Sequence, residues 1–290
     1  MWRKSEVKTR RPRLGLALSG GAARGIAHVG VLKVLAEAGV RVDYVAGTSA
    51  GALVGGAFAS GMPLEEIEQI GRNLRWRDLG RMTVSRLGVQ SNAVMEEYIR
   101  ARFPVTRFEE FPVPFAAVAC DLRTGAAVVM RDEGDAAFAI RASCAVPGWY
   151  IPVADERGRQ LVDGGLVANL PATVARTLGA EVVVAVDVNA EGAKFMGPPG
   201  SVVGVLLQSM LVMQRTAVEH QRQTADVVVS PSVGHLRWDE MGRAEEFIDA
   251  GCEAARAALP ALKELLEPQP AEPHGWFNLR RQRERHTDAD

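Results

Sequence analysis

Short, continuously apolar runs alternate with segments of helical periodicity along most of this chain. The apolar runs occupy residues 14–18, 42–46, 115–120, 126–130, 182–186 and 227–229. The helical patterns occupy residues 22–38, 50–58, 136–143, 172–178, 203–220 and 244–258. Strands that are apolar on both faces belong to a parallel sheet whose two sides are covered by helices. The sequence therefore predicts an α/β protein with a mainly parallel central sheet and with its chemistry in the loops that follow the strands.

The composition of the 290 residues limits the classes of partner and compartment. Hydrophobic residues make up 47% and charged residues 24%, as in an ordinary globular protein. The net charge of -1 provides no bulk attraction to nucleic acid. The three cysteines are too few and too scattered for a disulfide framework or a metal cluster, and they indicate a reducing compartment. We therefore expect a cytoplasmic protein with no nucleic-acid partner and no metal site.

Both ends of the sequence are rich in basic residues. Residues 1–12 and 268–290 are predicted to be charged tails around one domain at residues 13–267. The tails are either solvated or in weak contact with anionic lipid at the inner face of the membrane. No apolar segment follows the N-terminal basic residues, so they do not form a secretory signal. The longest apolar stretch, residues 202–218, is interrupted by polar and charged residues and is not predicted to span a membrane.

A glycine-rich loop follows the first apolar run. It reads Ser19-Gly20-Gly21-Ala22-Ala23-Arg24-Gly25 and leads into the first helical pattern. Glycines at the start of a helix let backbone N–H groups point into a shared concavity. Such a concavity suits a phosphate or the oxyanion that forms when an ester is attacked. A tight turn without a ligand explains the same pattern equally well.

The second loop, Gly47-Thr48-Ser49-Ala50-Gly51, matches the G-x-S-x-G nucleophile elbow. In that motif a serine is held at a sharp turn between a strand and a helix, and Gly47 and Gly51 would remove steric clashes around the turn. The required context is present, because an apolar run precedes the loop and a helical pattern of small residues follows it. We therefore predict that Ser49 is a nucleophile rather than a simple helix N-cap.

A serine nucleophile needs a base, and the sequence offers two kinds. The five histidines are His28, His220, His235, His274 and His286. His28 lies in an apolar helical pattern, and His235 is the only passable late histidine for a Ser–Asp–His triad. Asp163 ends a short apolar run and is followed by Gly164 and Gly165. This turn indicates either a β-hairpin or an acid that another backbone approaches closely.

Taken in order, the glycine loop, the elbow and the Asp163-Gly164-Gly165 turn resemble the patatin-like phospholipases. The similarity is greatest to the bacterial relatives of the neuropathy target esterase catalytic domain. Residues 141–148, Arg-Ala-Ser-Cys-Ala-Val-Pro-Gly, are similar to a further block of that family. The resemblance extends over residues 14–231. It implies a three-layer α/β/α fold and a cofactor-free acyl hydrolase that cleaves carboxylic esters of lipids.

The resemblance also implies roles for individual residues. Ser49 matches the nucleophile and Asp163 the base of a two-residue dyad, with no histidine in the reaction. The backbone amides of Gly20, Gly21 and Ala22 match the family's oxyanion loop. The family usually has glycine where this chain has Ala22, and the N–H donor survives the added methyl group if Ala22 keeps a negative φ.

Arg24 matches the basic residue of the family's glycine loop. Its partner is either a lipid phosphate or a carboxylate that braces the loop. Asp121 and Asp187 also end apolar runs, but neither is followed by two glycines. We interpret both as loop or cap residues.

Residues 61–110 interrupt the matching blocks with a basic, partly apolar stretch. Its members are Arg72, Arg75, Trp76, Arg77, Leu79, Arg81, Met82, Arg86 and Leu87. The stretch is either a cap whose arginines meet lipid headgroups while Trp76 and Met82 meet acyl chains, or a surface helix and loop packed on the core.

Two other functions stay open at this point. One is a nucleotide-binding module, with the glycine loop as phosphate cradle and Asp43 as the acid that binds the ribose. The other is a scaffold or regulator of the same fold that does not turn over substrate. No oligomeric state follows from the sequence.

Overall fold

A computed structural model describes residues 9–191 and 199–270 of the protein. The strands are β1 (Thr9–Arg10), β2 (Leu14–Leu18), β3 (Tyr44–Thr48), β4 (Arg81–Met82), β5 (Gly88–Ser91), β6 (Phe115–Asp121), β7 (Ala127–Arg131), β8 (Gly148–Tyr150), β9 (Val153–Ala154), β10 (Gln160–Asp163), β11 (Val182–Val186), β12 (Val227–Val229) and β13 (Gln269–Pro270). Each of the predicted apolar runs forms a strand. The run at 42–46 is displaced, because the strand begins at Tyr44 and continues to the residue before Ser49.

Each of the six predicted helical patterns overlaps with an α-helix, and the described residues form further α-helices outside those patterns. The α-helices are α1 (Ala27–Glu37), α2 (Ala50–Ala59), α3 (Leu64–Asn73), α4 (Trp76–Leu79), α5 (Ala93–Arg102), α6 (Ala136–Ser143), α7 (Gly165–Ala168), α8 (Ala172–Leu178), α9 (Val202–Arg222) and α10 (Ala244–Leu265). The glycine loop does not enter α1 directly, because a 3₁₀ turn at Ala22–Ile26 lies between them. Asp163 is followed by α7 rather than by a second strand of a hairpin.

The central sheet has the strand order β12-β11-β2-β3-β6-β10-β9, and β7 pairs with the other edge of β6. The strands from β12 to β6 are parallel to one another. The strands β7, β9 and β10 add antiparallel pairs at one side. The fold is therefore α/β with a mainly parallel sheet, as the sequence predicts.

The strand β6 brings the ends of two other strands together. Thr48, the last residue of β3, pairs with Val118 in the parallel direction. Asp163, the last residue of β10, pairs with Ala119 in the antiparallel direction. Because β7 occupies the opposite edge of β6, β3 and β10 share one edge and meet end to end. Thr48, the residue before Ser49, and Asp163 are thus paired with consecutive residues of one strand.

Side chains that alternate along the strands build two hydrophobic layers. On β2, Leu14, Leu16 and Leu18 face the larger core with α1, α2, α6 and α10. Ala17 faces the opposite side, where the small residues of the sheet meet α7, α8 and α9. Because successive strand residues point to opposite faces, the uninterrupted apolar runs cover both sides. This arrangement confirms the three-layer α/β/α architecture.

The described parts of the predicted tails contact the domain. β1 pairs with β13 in antiparallel fashion, and Arg10 lies 2.6 Å from Glu181. Arg11 lies 2.7 Å from Asp43. These residues therefore pair with acidic side chains instead of extending into solvent. The rest of both predicted tails, residues 1–8 and 271–290 with His274 and His286, lies outside the described residues.

The segment at residues 61–110 packs mainly against helices α1, α2, α6 and α10. It contains α3, α4 and α5 and the hairpin of β4 and β5, and β5 pairs in parallel with β8. None of the helices described is both long and apolar enough to cross a membrane. The three cysteines are free and buried, in agreement with their interpretation as small core residues.

Candidate active site

Ser49 sits at a strained turn between β3 and α2. Its φ is 54° and its ψ is -123°, a conformation that L-residues rarely adopt and that is typical of strain stored at functional sites. The turn is possible only with glycines on both sides. A Cβ at Gly47 would lie 2.6 Å from the Cα of Ala52, and a Cβ at Gly51 would lie 2.2 Å from the carbonyl oxygen of Leu18.

Ser143 stabilises the elbow through a hydrogen bond to its backbone, a role that the sequence did not reveal. The backbone N–H of Ser49 donates to the Ser143 hydroxyl oxygen at 2.9 Å. That hydroxyl in turn donates to the carbonyl oxygen of Val118 on β6 at 2.6 Å. Ser143 is fully buried at the end of α6. The signal was present in the block at residues 141–148, but the sequence could not show that its serine contacts the elbow.

Ser49 and Asp163 line the same cavity, and the Ser49 side chain is close enough to the Asp163 carboxylate to favour its charged form. The carboxylate accepts a hydrogen bond from the backbone N–H of Gly165, which lies 2.7 Å from Oδ1. Asp163 is only 5% exposed. Burial raises the pKa of Asp163 to about 6, and the Ser49 side chain and the hydrogen bond from Gly165 oppose part of this increase. Asp163 is therefore a buried carboxylate with increased proton affinity that lies beside the Ser49 side chain.

The glycines after Asp163 lie where other groups approach closely, which agrees with the second of the two predictions for this turn and not with a β-hairpin. A Cβ at Gly164 would lie 2.1 Å from the carbonyl oxygen of Val118. A Cβ at Gly165 would lie 3.1 Å from Oδ1 of Asn169, which is itself buried.

The glycine loop lies against the elbow, and the structure corrects the expectation for two of its residues. The N–H of Gly20 donates to the carbonyl oxygen of Asn169 at 3.1 Å, so it is not free to bind an anion. Gly20 instead allows the close approach of Ser49, whose Cβ would lie 3.0 Å from an added Cβ. Ala22 has φ 51°, which does not meet the condition of a negative φ. Among residues 9–191 and 199–270, no acceptor is found for the amides of Gly21 and Ala22.

Arg24 braces the loop. Its side chain is buried, and its guanidinium donates to the carbonyl oxygen of Leu236 at 3.0 and 3.1 Å. It also donates to Oδ1 of Asn189 at 3.4 Å, and the amide nitrogen of Asn189 donates to the carbonyl oxygen of Gly20 at 2.6 Å. Burial lowers the pKa of Arg24, and the charge of Glu191 acts in the opposite direction. These contacts favour the bracing role over the phosphate-binding role.

The histidines do not approach Ser49 within the part of the chain that the structure describes. None of them lines the cavity around Ser49. His28 is fully buried in α1, as predicted, and its Nε2 lies 2.8 Å from the carbonyl oxygen of Ser19. Burial lowers the pKa of His28 to about 4, so it is neutral and supports the glycine loop as a donor. His220 and His235 are exposed.

The other aspartates have structural partners. Asp121 accepts hydrogen bonds from the Arg123 amide and the Thr124 hydroxyl, which confirms its interpretation as a loop residue. Asp187 is buried and forms an ion pair with Arg222 at 2.6 Å, a partner that was not predicted. Asp43 bonds to Arg11 and to the N–H of Leu14. It therefore lies at the amino end of β2, whereas the glycine loop follows the carboxyl end, and its assignment as a ribose-binding acid is wrong.

A cavity of about 220 Å³ opens onto Ser49 and Asp163. Its wall includes an aromatic cluster in which Trp238 contacts Trp76 and Trp149 edge to face, with ring centroids 5.8 and 6.2 Å apart. Other apolar members of the wall include Ile26, Leu53, Val54, Leu74, Leu79, Met95, Val146, Met210, Leu211, Val218 and Met241. Trp76 therefore belongs to the cavity wall, whereas the sequence left open whether it lies in a lipid-facing cap or in a surface segment packed on the core.

Comparison with known proteins identifies the family. A sequence model described as patatin-like phospholipase matches residues 16–176, which is more than half of the chain. The chain belongs to the patatin-like phospholipase family. The match contains the glycine loop, the elbow and the Asp163 turn of this patatin-like domain, so the resemblance seen in the sequence is confirmed.

Relatives of this patatin-like chain include bacterial and animal proteins. An uncharacterized NTE family protein of Mycobacterium tuberculosis is 32% identical over 279 residues, which cover 87% of this chain and 47% of the relative. Patatin-like phospholipase domain-containing protein 7 of Rattus norvegicus is 36% identical over 184 residues, which cover 60% of this chain and 13% of the relative. The chain therefore spans about half the length of the mycobacterial relative.

A solved structure has the same patatin-like fold. VipD from Legionella pneumophila superimposes with a TM-score of 0.52 at 14% identity, and the match covers 89% of this chain and 72% of VipD. At this identity the similarity supports the architecture described above.

Proposed function

We propose that this protein is a serine acyl hydrolase that cleaves carboxylic esters of lipids. The observation that carries the proposal is that Ser49, held at a strained turn, faces the same cavity as the buried Asp163, whose pKa is raised to about 6. A base works best when its pKa lies near the working pH, and an ordinary aspartate has too little proton affinity to activate a serine. Burial of Asp163 supplies part of the missing affinity.

The proposed reaction proceeds in two steps. Asp163 accepts the hydroxyl proton while the Ser49 oxygen attacks the ester carbonyl, and the alcohol leaves after an acyl-enzyme has formed. Water then attacks the acyl-enzyme, with Asp163 again accepting a proton. The amides of Gly21 and Ala22, for which the described residues provide no acceptor even at the positive φ of Ala22, would stabilise the oxyanion in both steps. These steps call for no metal or organic cofactor.

The cavity wall supports a lipid substrate. Three tryptophans and the aliphatic side chains around them provide an apolar surface next to Ser49, which suits an acyl chain. The nucleotide-binding alternative loses its support, because Asp43 is far from the glycine loop and the cavity lining is mainly apolar. The protein is expected to act in the cytoplasm.

The segment at residues 61–110 supports contact with anionic lipid. Arg77 and Arg81 are exposed, and neither forms an ion pair with another residue of the described ranges. Met82 beside them is 75% exposed. If this surface contacts anionic headgroups, changing Arg75, Arg77 and Arg81 together to Gln weakens sedimentation with anionic vesicles. Equal sedimentation of this variant and the unchanged protein would remove the basic surface from the proposal.

Hydrolysis of short-chain p-nitrophenyl esters tests the function. Ser49→Ala and Asp163→Asn should each lower kcat/KM by about a hundredfold or more, since removal of a base costs roughly 10²–10⁴ in rate. Ser60→Ala and Asp121→Asn are matched controls on a buried serine and on the neighbouring strand-end aspartate. A fluorophosphonate probe should label Ser49 and should not label Ser49→Ala.

Two results would contradict this proposal in different ways. Full activity of either site variant would remove the dyad while leaving a hydrolase. A protein that neither turns over esters nor reacts with the fluorophosphonate probe would instead be the silent scaffold of this fold.

A further inference from the structure

One face of α9 exposes a row of apolar side chains. Val202, Val205, Leu206, Val212 and Met213 recur at helical spacing, and their exposure ranges from 48% at Val205 to 77% at Val202. Such spacing places the side chains on one side of a helix. An exposed apolar row of this length, interrupted by Ser209, marks an interaction surface rather than an ordinary solvated face.

The opposite face of α9 is apolar as well. Met210, Leu211 and Val218 line the cavity that contains Ser49 and Asp163. The sequence from Val202 to Gln214 contains no charged residue. A helix that is apolar on both faces needs an apolar environment on both sides. The inner face of α9 borders the candidate substrate cavity, whereas its outer apolar face is exposed and needs a second apolar environment.

The length of the uncharged part of α9 excludes one apolar environment. Residues 202–214 extend for about 20 Å at 1.5 Å per residue, whereas a hydrocarbon core is about 30 Å thick. The uncharged part of α9 is therefore too short to cross a bilayer. It is long enough to lie along a lipid surface with its apolar row immersed.

A second exposed apolar group lies beside α9. The hairpin of β4 and β5 exposes Met82, Val84 and Leu87. Its strand β5 pairs with β8, and α9 also contacts β8. The strand β8 contributes Trp149 to the cavity wall. The two exposed apolar groups therefore flank a strand that forms part of the cavity.

We propose that the exposed row of α9 docks onto a lipid bilayer by hydrophobic insertion. This inference rests on the proposed function, because the same helix would then contact the bilayer with one face and the acyl chain of a substrate with the other. The row contains no Trp, Tyr or Arg, and four of its five residues are Val or Leu, which are under-represented among the residues that dominate binding at protein interfaces; its chemistry therefore favours lipid over a protein partner. Exposed Arg81 and Arg86 on the hairpin can meet headgroups at the edge of the inserted surface.

Sedimentation with vesicles of zwitterionic phosphatidylcholine tests the docking, and moderate salt suppresses the contribution of the basic surface. The test variant is Leu206→Gln, Val212→Gln and Met213→Gln combined. Each change removes an apolar side chain worth about tenfold in partitioning when it is partly buried in lipid, so we expect binding to fall by about a hundredfold or more. The matched control is Val129→Gln, Val228→Gln and Leu265→Gln, three apolar residues of similar size that are 37–38% exposed on β7, β12 and α10.

The expected result is that the unchanged protein and the control bind vesicles while the α9 variant does not. The α9 variant should retain its kcat/KM for a soluble p-nitrophenyl ester, because its three side chains lie outside the cavity wall; this measurement also verifies its folding. Equal vesicle binding by the variant, or no binding by the unchanged protein, would refute the docking. A dimer in sedimentation equilibrium that the variant dissociates would reassign the row to an interface between copies.

The outcomes separate the docking from the proposed function. Vesicle binding that depends on α9 in a protein without esterase activity would retain the docking and remove the hydrolase. Ester hydrolysis by a protein that ignores vesicles would retain the hydrolase and remove the docking.

Discussion

Replacing Asp163 by Asn should stabilise the protein while it abolishes activity. Burial raises the pKa of Asp163 from its ordinary 3.8 to about 6 in the folded protein. Because the folded state holds this proton more tightly than the unfolded state, ionisation of Asp163 opposes folding. The protonated Asp163 stabilises the folded state at low pH. This stabilisation is lost as the pH rises from about 4 to about 6, and it stays absent at higher pH.

The size of the effect follows from the two pKa values. Their difference of about 2.2, at 1.36 kcal/mol for each pH unit, corresponds to about 3 kcal/mol at pH 8. An asparagine has nearly the same shape but no charge to desolvate. Its Oδ1 can still accept the hydrogen bond from the Gly165 amide. The free energy of unfolding of Asp163→Asn should therefore exceed that of the unchanged protein by up to about 3 kcal/mol at pH 8.

Urea unfolding at pH 8 and at pH 4 measures this difference. At pH 4 the folded protein carries a protonated Asp163, so the advantage of the Asn variant should become small. Asp43→Asn is the matched control with the opposite sign. Although burial raises the pKa of Asp43, the hydrogen bonds from Arg11 and Leu14 lower it overall, so loss of this carboxylate should destabilise the protein at pH 8. An Asp163→Asn variant that is less stable than the unchanged protein at pH 8 would refute the reasoning.

Two further predictions concern the same site. The kcat/KM for a p-nitrophenyl ester should fall about tenfold from pH 8 to pH 5, because only about a tenth of Asp163 is ionised one pH unit below a pKa of about 6. An unchanged rate at pH 5 would contradict the role of Asp163 as the base. Ala22→Gly should increase the free energy of unfolding in urea by about 1 kcal/mol, because Ala22 has φ 51° and glycine adopts a positive φ without steric cost. The control Ala23→Gly, at a position without a positive φ, should destabilise the protein. Equal effects of the two changes would show that Ala22 is not strained.

Much of the fold was predictable because the relevant physics is local. Residues 14–18, 182–186 and 227–229 form strands with the predicted boundaries, since a β-branched or leucine-rich run between turns has few other stable conformations. The helices at residues 136–143 and 172–178 also match. The elbow and the Asp163 turn were visible because glycines mark close contacts at fixed spacing.

The features that could not be predicted depend on contacts between distant segments. Ser143 reaches the elbow only because α6 ends beside β6. The amide of Gly20 is occupied by the carbonyl oxygen of Asn169, about 150 residues later. The positive φ of Ala22 is imposed by the loop and opposes the preference of alanine. The segment at residues 61–110 carries no motif, so its share in the cavity wall was hidden.

Pairing of β3 and β10 with the same edge of β6 fixes the relative positions of the two proposed reactive groups. Ser49 and Asp163 arrive from strands that run toward each other and stop at neighbouring rungs, Val118 and Ala119. Their separation is therefore fixed by backbone pairing, while the connections that lead to them can vary in length. Sliding either strand by one rung would move its end by about 3.3 Å and would turn its side chains to the opposite face. Evolution can thus reshape the loops of such a protein freely but has almost no latitude in the alignment of these three strands.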